Sequence, residues 1–540
     1  MEKEIIALQL AHILGEEFTP EDLKQKLEQP KHNGHGDIAF PCFFLARHFR
    51  KNPQNIAEDV SAQLDHPIFA GTEALNGYVN IFLDQSFMTD HILRRAAHND
   101  YGRHRFGEGE RVVLDLSAPN IAKPFSMGHL RSTIIGNSLS LLAEYCGYTP
   151  VKINYVGDYG TQFGHLLAAY ERWGEKDKLE ENPLKELSNI YVRFHEEAKQ
   201  NPSLTEAGRD WFKRLEEGEE EAAALWSHFR ELSLEEFDRI YEQLDITFDL
   251  TRGEAYYSDK MGETIAMLDE KGLLEQSEGA LVVRLDEYDL PPCLMVKSND
   301  TTTYATRDLT AAIDRYRTYR FTESLYVVGN EQTLHFEQIQ KVLEKAGFPW
   351  APSMKHISFG MMLQDGKKMS TRKGRTILLE DVLEEARERA GGNADIGTGA
   401  VIFHDLKHQR QNDVEFSLDD MLTFEGNTGP YLQYTYARAV SLTEKADFDF
   451  RTDLKDGSAW ELVKQLHLFP DETKRAFIQK DPSVIARYLL KLSKHFNQYY
   501  AHTKILQTDQ MNQRLTLVQA VITVLKKGLH LLGMKTVEKM

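Results

Sequence analysis

Two loops carry the residue types that could do chemistry on a phosphate. The first is Ser117-Ala118-Pro119-Asn120-Ile121-Ala122-Lys123-Pro124-Phe125-Ser126-Met127-Gly128-His129, set between a short apolar run and a helix-like stretch. Gly128 allows a backbone to approach a ligand closely, and His129 opens a helix whose first N–H groups point outward, as an anion requires. The second is Gly366-Lys367-Lys368-Met369-Ser370-Thr371-Arg372-Lys373-Gly374-Arg375, with five basic residues in ten and no acid. Such a loop suits a polyphosphate, folding over it and stabilising charge as it develops. Taken singly, neither is specific. Gly-His pairs also occur at Gly34 and Gly164, and an isolated basic loop is ordinarily a solvated turn. The first loop lacks the GxGxxG of dinucleotide folds and the GK[ST] of phosphate-binding loops, so those readings fail.

Elements must hold these loops in place. Arg111 to Leu116 reads as a short buried strand, Leu130 to Tyr145 as an amphipathic helix and Val151 to Val156 as a second strand, which together form a βαβ unit and imply a parallel sheet. Ser324 to Val328 and Ile357 to Leu363 are further strand candidates. In an open parallel sheet ligands bind beyond the carboxyl ends of the strands, where the first loop falls. The α/β zone is expected over residues 106–425. Within it, residues 171–250 carry 22 acidic and 11 basic residues and read as solvated helices of an insertion. Residues 1–105 mix a helical period at Ile5, Ile6, Leu8, Leu10, Ile13 and Leu14 with a β-like run from Gly77 to Leu83. From residue 426 the pattern is helical to the end.

Composition narrows the function class. A chain of 540 residues with 41% hydrophobic and 27% charged residues is ordinary for a globular protein of about three domains. No apolar run is long enough to cross a bilayer, and Met1 to Gly15 does not read as a secretory leader. Cys42, Cys146 and Cys293 are far apart, which argues against a disulfide framework or a zinc site and makes the reducing cytosol the expected compartment. The net charge of −19 speaks against a nucleic-acid partner only if it is evenly spread, and it is not. Residues 486–540 hold nine basic side chains against two acidic ones, which points to local binding of a polyanion.

The two loops together resemble the paired HxGH and KMSKS signatures of class I aminoacyl-tRNA synthetases. The stretch from Ser117 to Gly136, the run Val156-Gly157-Asp158-Tyr159-Gly160-Thr161-Gln162-Phe163-Gly164, the run from Gly426 to Tyr434 and the closing Leu532-Gly533-Met534 are similar to the arginyl-tRNA synthetases in particular, over essentially the whole chain. Two positions depart from the pattern: Ser126 stands for the first His of HxGH, and Thr371 for the Lys at the fourth position of KMSKS.

The resemblance implies an α/β Rossmann-like catalytic domain with a helical insertion (106–425), an α+β N-terminal tRNA-binding domain (1–105) and an all-α anticodon-binding domain (426–540). It implies ATP-dependent ligation of L-arginine to tRNA(Arg), with Mg2+ accompanying ATP, in a cytoplasmic monomer. By the same likeness His129 and Lys368 are catalytic, and Lys123 or Arg372 replaces the cation missing at Thr371. ATP falls to Ser126, Gly128, His129, His335, Lys368 and Met369. Arginine falls to Asn120, Tyr304, Asp308, Gln332, Ser117 and Asp115. A guanidinium needs an acid and an aromatic partner, and a helix over Tyr304 to Asp308 puts both on one face. Tyr431, Tyr434, Arg438, Arg487 and Lys491 are expected at the tRNA, with Tyr436, Tyr499 and Tyr500 as further stacking candidates. A cysteinyl enzyme of the same class would need cysteine zinc ligands, which the sequence does not offer, and a purely tRNA-binding relative would not need an ATP site.

Overall fold

The computed structural model describes residues 2–30, 32, 34–299, 301–368 and 377–540, with Lys368 described as backbone only. The expectations for Met369, Arg372 and the Lys368 side chain therefore lie outside the described residues. The chain divides into two compact units, one of residues 102–438, 469–493 and 525–540, the other of residues 1–101, 439–468 and 494–524.

The larger unit is organised by a five-stranded sheet. Its strands are β1 (Arg111–Asp115), β2 (Thr149–Val156), β3 (Leu250–Gly253), β4 (Glu323–Tyr326) and β5 (Met354–His356), in the order β5-β4-β1-β2-β3. Every pairing is parallel. Val112, Val113 and Leu114 on β1 are all buried, the near-continuous apolar run of a strand covered on both faces. The strand order reverses direction beside β1, so the crevice between β1 and β4 is the place where such a sheet binds ligands.

Helix α1 (Met127–Tyr145) follows β1 and starts three residues earlier than the sequence pattern suggested. It is not amphipathic, being buried on nearly every side. Its buried hydroxyls find acceptors: Ser132 donates to the Val327 carbonyl at 2.6 Å and Ser138 to that of Leu531 at 2.6 Å. Gly136 lets β1 and α1 meet, since a Cβ there would lie 2.4 Å from Leu116 Cβ. The strand expected over Ile357 to Leu363 is split. β5 ends at His356, and the chain is extended again only at Met362–Gln364, the central strand of a separate three-stranded sheet. The break follows from Gly360, where a side chain would meet the Asn412 backbone at 2.5 Å, so the chain turns through a gap that only glycine fits.

The acidic stretch is helical as expected, in helices Lys176–Glu181, Pro183–Ala198, Pro202–Glu216 and Glu220–Leu244. In the smaller unit, strands Ile38–Pro41, Tyr78–Leu83 and Phe69–Leu75 form an antiparallel sheet in that order, with helices Glu2–Leu14 and Pro53–Ser61 among its elements. Helices Gly429–Thr443, Trp460–Gln479, Ser483–His502 and Met511–Leu531 make the C-terminal region all-α.

Candidate active site

A cavity of about 1630 Å³ opens at the carboxyl ends of β1 and β4, lined among others by Asp115, Ser117, Asn120, Gly128, His129, Tyr304, Asp308, Gln332 and His335. The structure therefore gathers residues separated by more than 200 positions in the chain. The loop after β1 is backbone-strained: Ser117, Ala118 and Ala122 all have positive φ, at 71°, 50° and 60°. Left-handed backbone at non-glycine residues persists only where surrounding structure enforces it. Asn120 is seated by a bridge to Gly157, where a Cβ would fall 2.3 Å from Asn120 Oδ1, so a side chain there would push the Asn120 amide aside.

His129 sits in the first turn of α1. The Ser126 peptide N–H donates to its Nδ1 at 3.1 Å, which leaves the ring proton on Nε2. Burial, and secondarily the charge of Lys123, press the imidazole down to about 4. At neutral pH the ring is thus an uncharged Nε2–H donor at a helix N-terminus, able to bond an anion without adding charge. Gly128 and His129 face the cavity, and Ser126 holds the ring from behind, its Oγ 3.2 Å from Nδ1. The Lys123 ammonium lies 5.8 Å from the centre of the Tyr191 ring, on an insertion helix. The residues that follow the basic loop come to this helix start. Lys367–Lys368 pairs with the strand Met362–Gln364, the Met127 N–H donates to the Ile377 carbonyl at 3.3 Å, and the Leu379 N–H donates to that of Phe125 at 3.0 Å.

Helix α2 (Tyr304–Tyr319) forms the opposite wall. Tyr304 begins it and is 65% exposed. Asp308, one turn on, lies 2.7 Å from His335 Nε2, and the His335 ring is 5.3 Å from that of Tyr304. His335 thus stands against the carboxylate and the aromatic ring rather than apart from them. Gln332 is exposed on the short turn Asn330–Gln332 at the cavity edge.

Two sequence candidates already have partners inside the protein. Asp115 is buried and ion-paired to Arg315 at 2.8 Å, with the rings of Tyr155 and Tyr326 beside the guanidinium. Burial pushes the Asp115 carboxyl up against the pull of Arg315. Its charge is committed to an internal cation. Ser117 Oγ is 2.7 Å from the Tyr241 hydroxyl.

Glu254 and Arg307 were not anticipated. Glu254 follows β3 directly, faces the cavity and accepts from Arg307 at 2.9 Å. Burial, with Asp308 and Asp158 nearby, raises it to about 7 despite Arg307. The signal lay in the alternation of Ile246, Phe248 and Leu250, which marks a strand after the acidic insertion. Asp158 organises this corner, taking the Ala255 N–H at 2.9 Å and the Arg230 Nε at 2.9 Å.

Of the tyrosines expected at tRNA, Tyr436 and Tyr499 are buried, the latter bonded to Asp456 at 3.1 Å. Tyr434 is exposed, with the Arg438 guanidinium 4.7 Å over its ring, and Tyr500 is exposed as well. Tyr431 is partly buried, while Arg487 and Lys491 project from helix Ser483–His502 one turn apart.

A parallel sheet with a helix start and a neutral imidazole donor at the crevice beside β1, in a chain whose C-terminal region is helical, has the organisation of a class I aminoacyl-tRNA synthetase. The family model described as tRNA synthetases class I (R), catalytic domain, matches residues 91–395, the DALR anticodon binding domain matches 432–540, and the arginyl tRNA synthetase N terminal domain matches 3–83. The chain belongs to the arginyl-tRNA synthetase family. It is 50% identical to arginine–tRNA ligase 2 of Bacillus anthracis, covering 98% of each chain, and 48% identical to the arginine–tRNA ligase of Enterococcus faecalis over the full length of both. The solved arginyl-tRNA synthetase of Thermus thermophilus shares the fold, with a TM-score of 0.82 at 24% identity over 100% of this chain and 99% of that one.

Proposed function

We propose that the protein ligates L-arginine to tRNA(Arg) for protein synthesis, at the expense of ATP. The observation that carries the reading is one cavity with two unlike walls: a neutral His129 donor at a helix N-terminus on one side, and Tyr304, Asp308 and Glu254 on the other. The first wall suits phosphates, and the second suits a planar guanidinium that pairs with acids and stacks on a ring. In the first step an arginine carboxylate oxygen attacks the α-phosphorus in line and pyrophosphate leaves. The protein supplies positioning and charge stabilisation rather than a nucleophile. In the second step a hydroxyl of the terminal adenosine of the tRNA attacks the adenylate carbonyl and AMP leaves.

On this reading Asn120 holds the α-amino and carboxylate end, Gln332 contacts the arginine, Asp308 and Glu254 take the guanidinium, and Lys123 and Lys368 contribute charge to the phosphates. Magnesium enters as part of the ATP substrate, held by phosphates and water. Tyr434, Arg438, Arg487 and Lys491 face tRNA. Residues 1–105, 106–425 and 426–540 are assigned as the N-terminal tRNA-binding, catalytic and anticodon-binding regions of a cytoplasmic monomer. Charging of unfractionated tRNA, tested with arginine, lysine, cysteine and glutamate side by side, checks the reading. Arginine alone is expected to be attached, and attachment of any other would refute it. Pyrophosphate exchange with and without tRNA then decides whether activation waits for tRNA, as expected.

A further inference from the structure

The acidic insertion looks from its sequence like a solvated appendage, yet its longest helix, Glu220–Leu244, reaches the strained loop after β1 at two points. The Ser233 Oγ, fully buried, accepts the Ala122 N–H at 3.0 Å while donating to the Phe229 carbonyl at 2.6 Å. The Tyr241 hydroxyl accepts from Asn154 Nδ2 at 3.0 Å and shares a second hydrogen bond, of 2.7 Å, with Ser117 Oγ. Ala122 and Ser117 are two of the three non-glycine residues in this loop with left-handed backbone. Between the two contacts, Phe125 packs its ring 5.8 Å from Phe237 and 5.7 Å from Tyr241, centre to centre, all three buried.

We propose that Ser233 and Tyr241 are positioning residues for arginine: the insertion helix clamps the loop in its strained form and so aims Asn120 into the cavity. The physical case rests on the cost of the loop conformation. Three left-handed non-glycine residues in six are unfavourable unless neighbouring groups fix them, and a buried N–H such as that of Ala122 has no water to turn to once its acceptor is removed. Releasing either contact frees the loop to relax, and a displaced Asn120 weakens substrate alignment. The inference rests on the reading of the cavity as an arginine and ATP site.

The test uses the full-length chain, the variants Ser233→Ala and Tyr241→Phe, and two measurements. Hydrogen–deuterium exchange follows the amides of residues 117–123, which needs no substrate. Aminoacylation kinetics give the arginine and ATP KM. The expected result is faster exchange in that segment, an arginine KM raised roughly tenfold and an ATP KM within about twofold of the parent. Unchanged exchange would overturn the clamp. Faster exchange with both KM values unchanged, or with both raised equally, would overturn the positioning role and leave the contacts merely structural. If the parent chain attaches no arginine, it is the functional reading that fails, and the exchange result still decides the clamp.

Discussion

Asp308 tests the arginine wall most directly. Its replacement by Asn keeps the shape and removes the charge that a guanidinium needs. The arginine KM is expected to rise on the order of 10- to 100-fold, with the ATP KM nearly unchanged, in steady-state aminoacylation. Glu254 makes a second prediction, through pH. Its carboxyl is raised to about 7, so below that pH it is largely neutral and attracts a guanidinium weakly, and above it the charge is present. Arginine KM should therefore fall as pH climbs through the neutral range, and Glu254→Gln should flatten that step. His129 does not compete for the assignment, since it is neutral throughout that range. Tyr304 and Asp308 were singled out by the family resemblance, since a Tyr and an Asp four residues apart on a helix read by themselves as an ordinary surface pair; the structure puts both on the cavity wall. The internal partners of Asp115 and Ser117 were not legible in the sequence, because Arg315 and Tyr241 come from 200 and 124 positions away and no local spacing announces such a pair.

At the scale of elements, α1 carries His129 of the first signature loop and is bonded to the segment that precedes the second. Arg131, two residues after His129, is buried and ion-paired to Asp405 at 2.8 Å, and it also donates to the carbonyls of Gly360 at 2.6 Å and Asn412 at 3.0 Å. It ties the helix start to the segment that leads into the basic loop. Replacing Arg131 with Met leaves the Asp405 charge buried without its partner, and should cost about 3 kcal/mol in a urea melt. Adding Asp405→Asn should restore part of that loss, whereas strictly additive losses would argue against the pair. The βαβ unit was readable from apolar runs and a helical period. The burial of α1 on nearly every side was not, since Ser132 and Ser138 read as part of a polar face until their distant acceptors, the carbonyls of Val327 and Leu531, are seen. The split of the strand at Gly360 was hidden for a similar reason: the gap is shaped by Asn412, not by neighbours in sequence.

For the molecule as a whole, the 83 acidic and 64 basic residues matter less than where they are placed. Arg487 and Lys491 are exposed on one helix, in a segment that is locally basic within an acidic chain. If each meets one phosphate, replacing both with Gln should lower the salt dependence of tRNA binding by about two in log–log slope, with arginine KM unchanged. A slope that does not move would take these residues out of the interface.

The three cysteines, expected from the sequence to be free of any disulfide framework, are each unpaired and buried, and burial pushes each thiol up to about 12. A thiol so protonated and enclosed does not react until its surroundings open. Cys42 belongs to the smaller unit, Cys146 and Cys293 to the larger. The chain thus carries its own set of unfolding reporters: alkylation at rising denaturant, read by peptide mass spectrometry, should date the opening of each unit separately, without adding a single label.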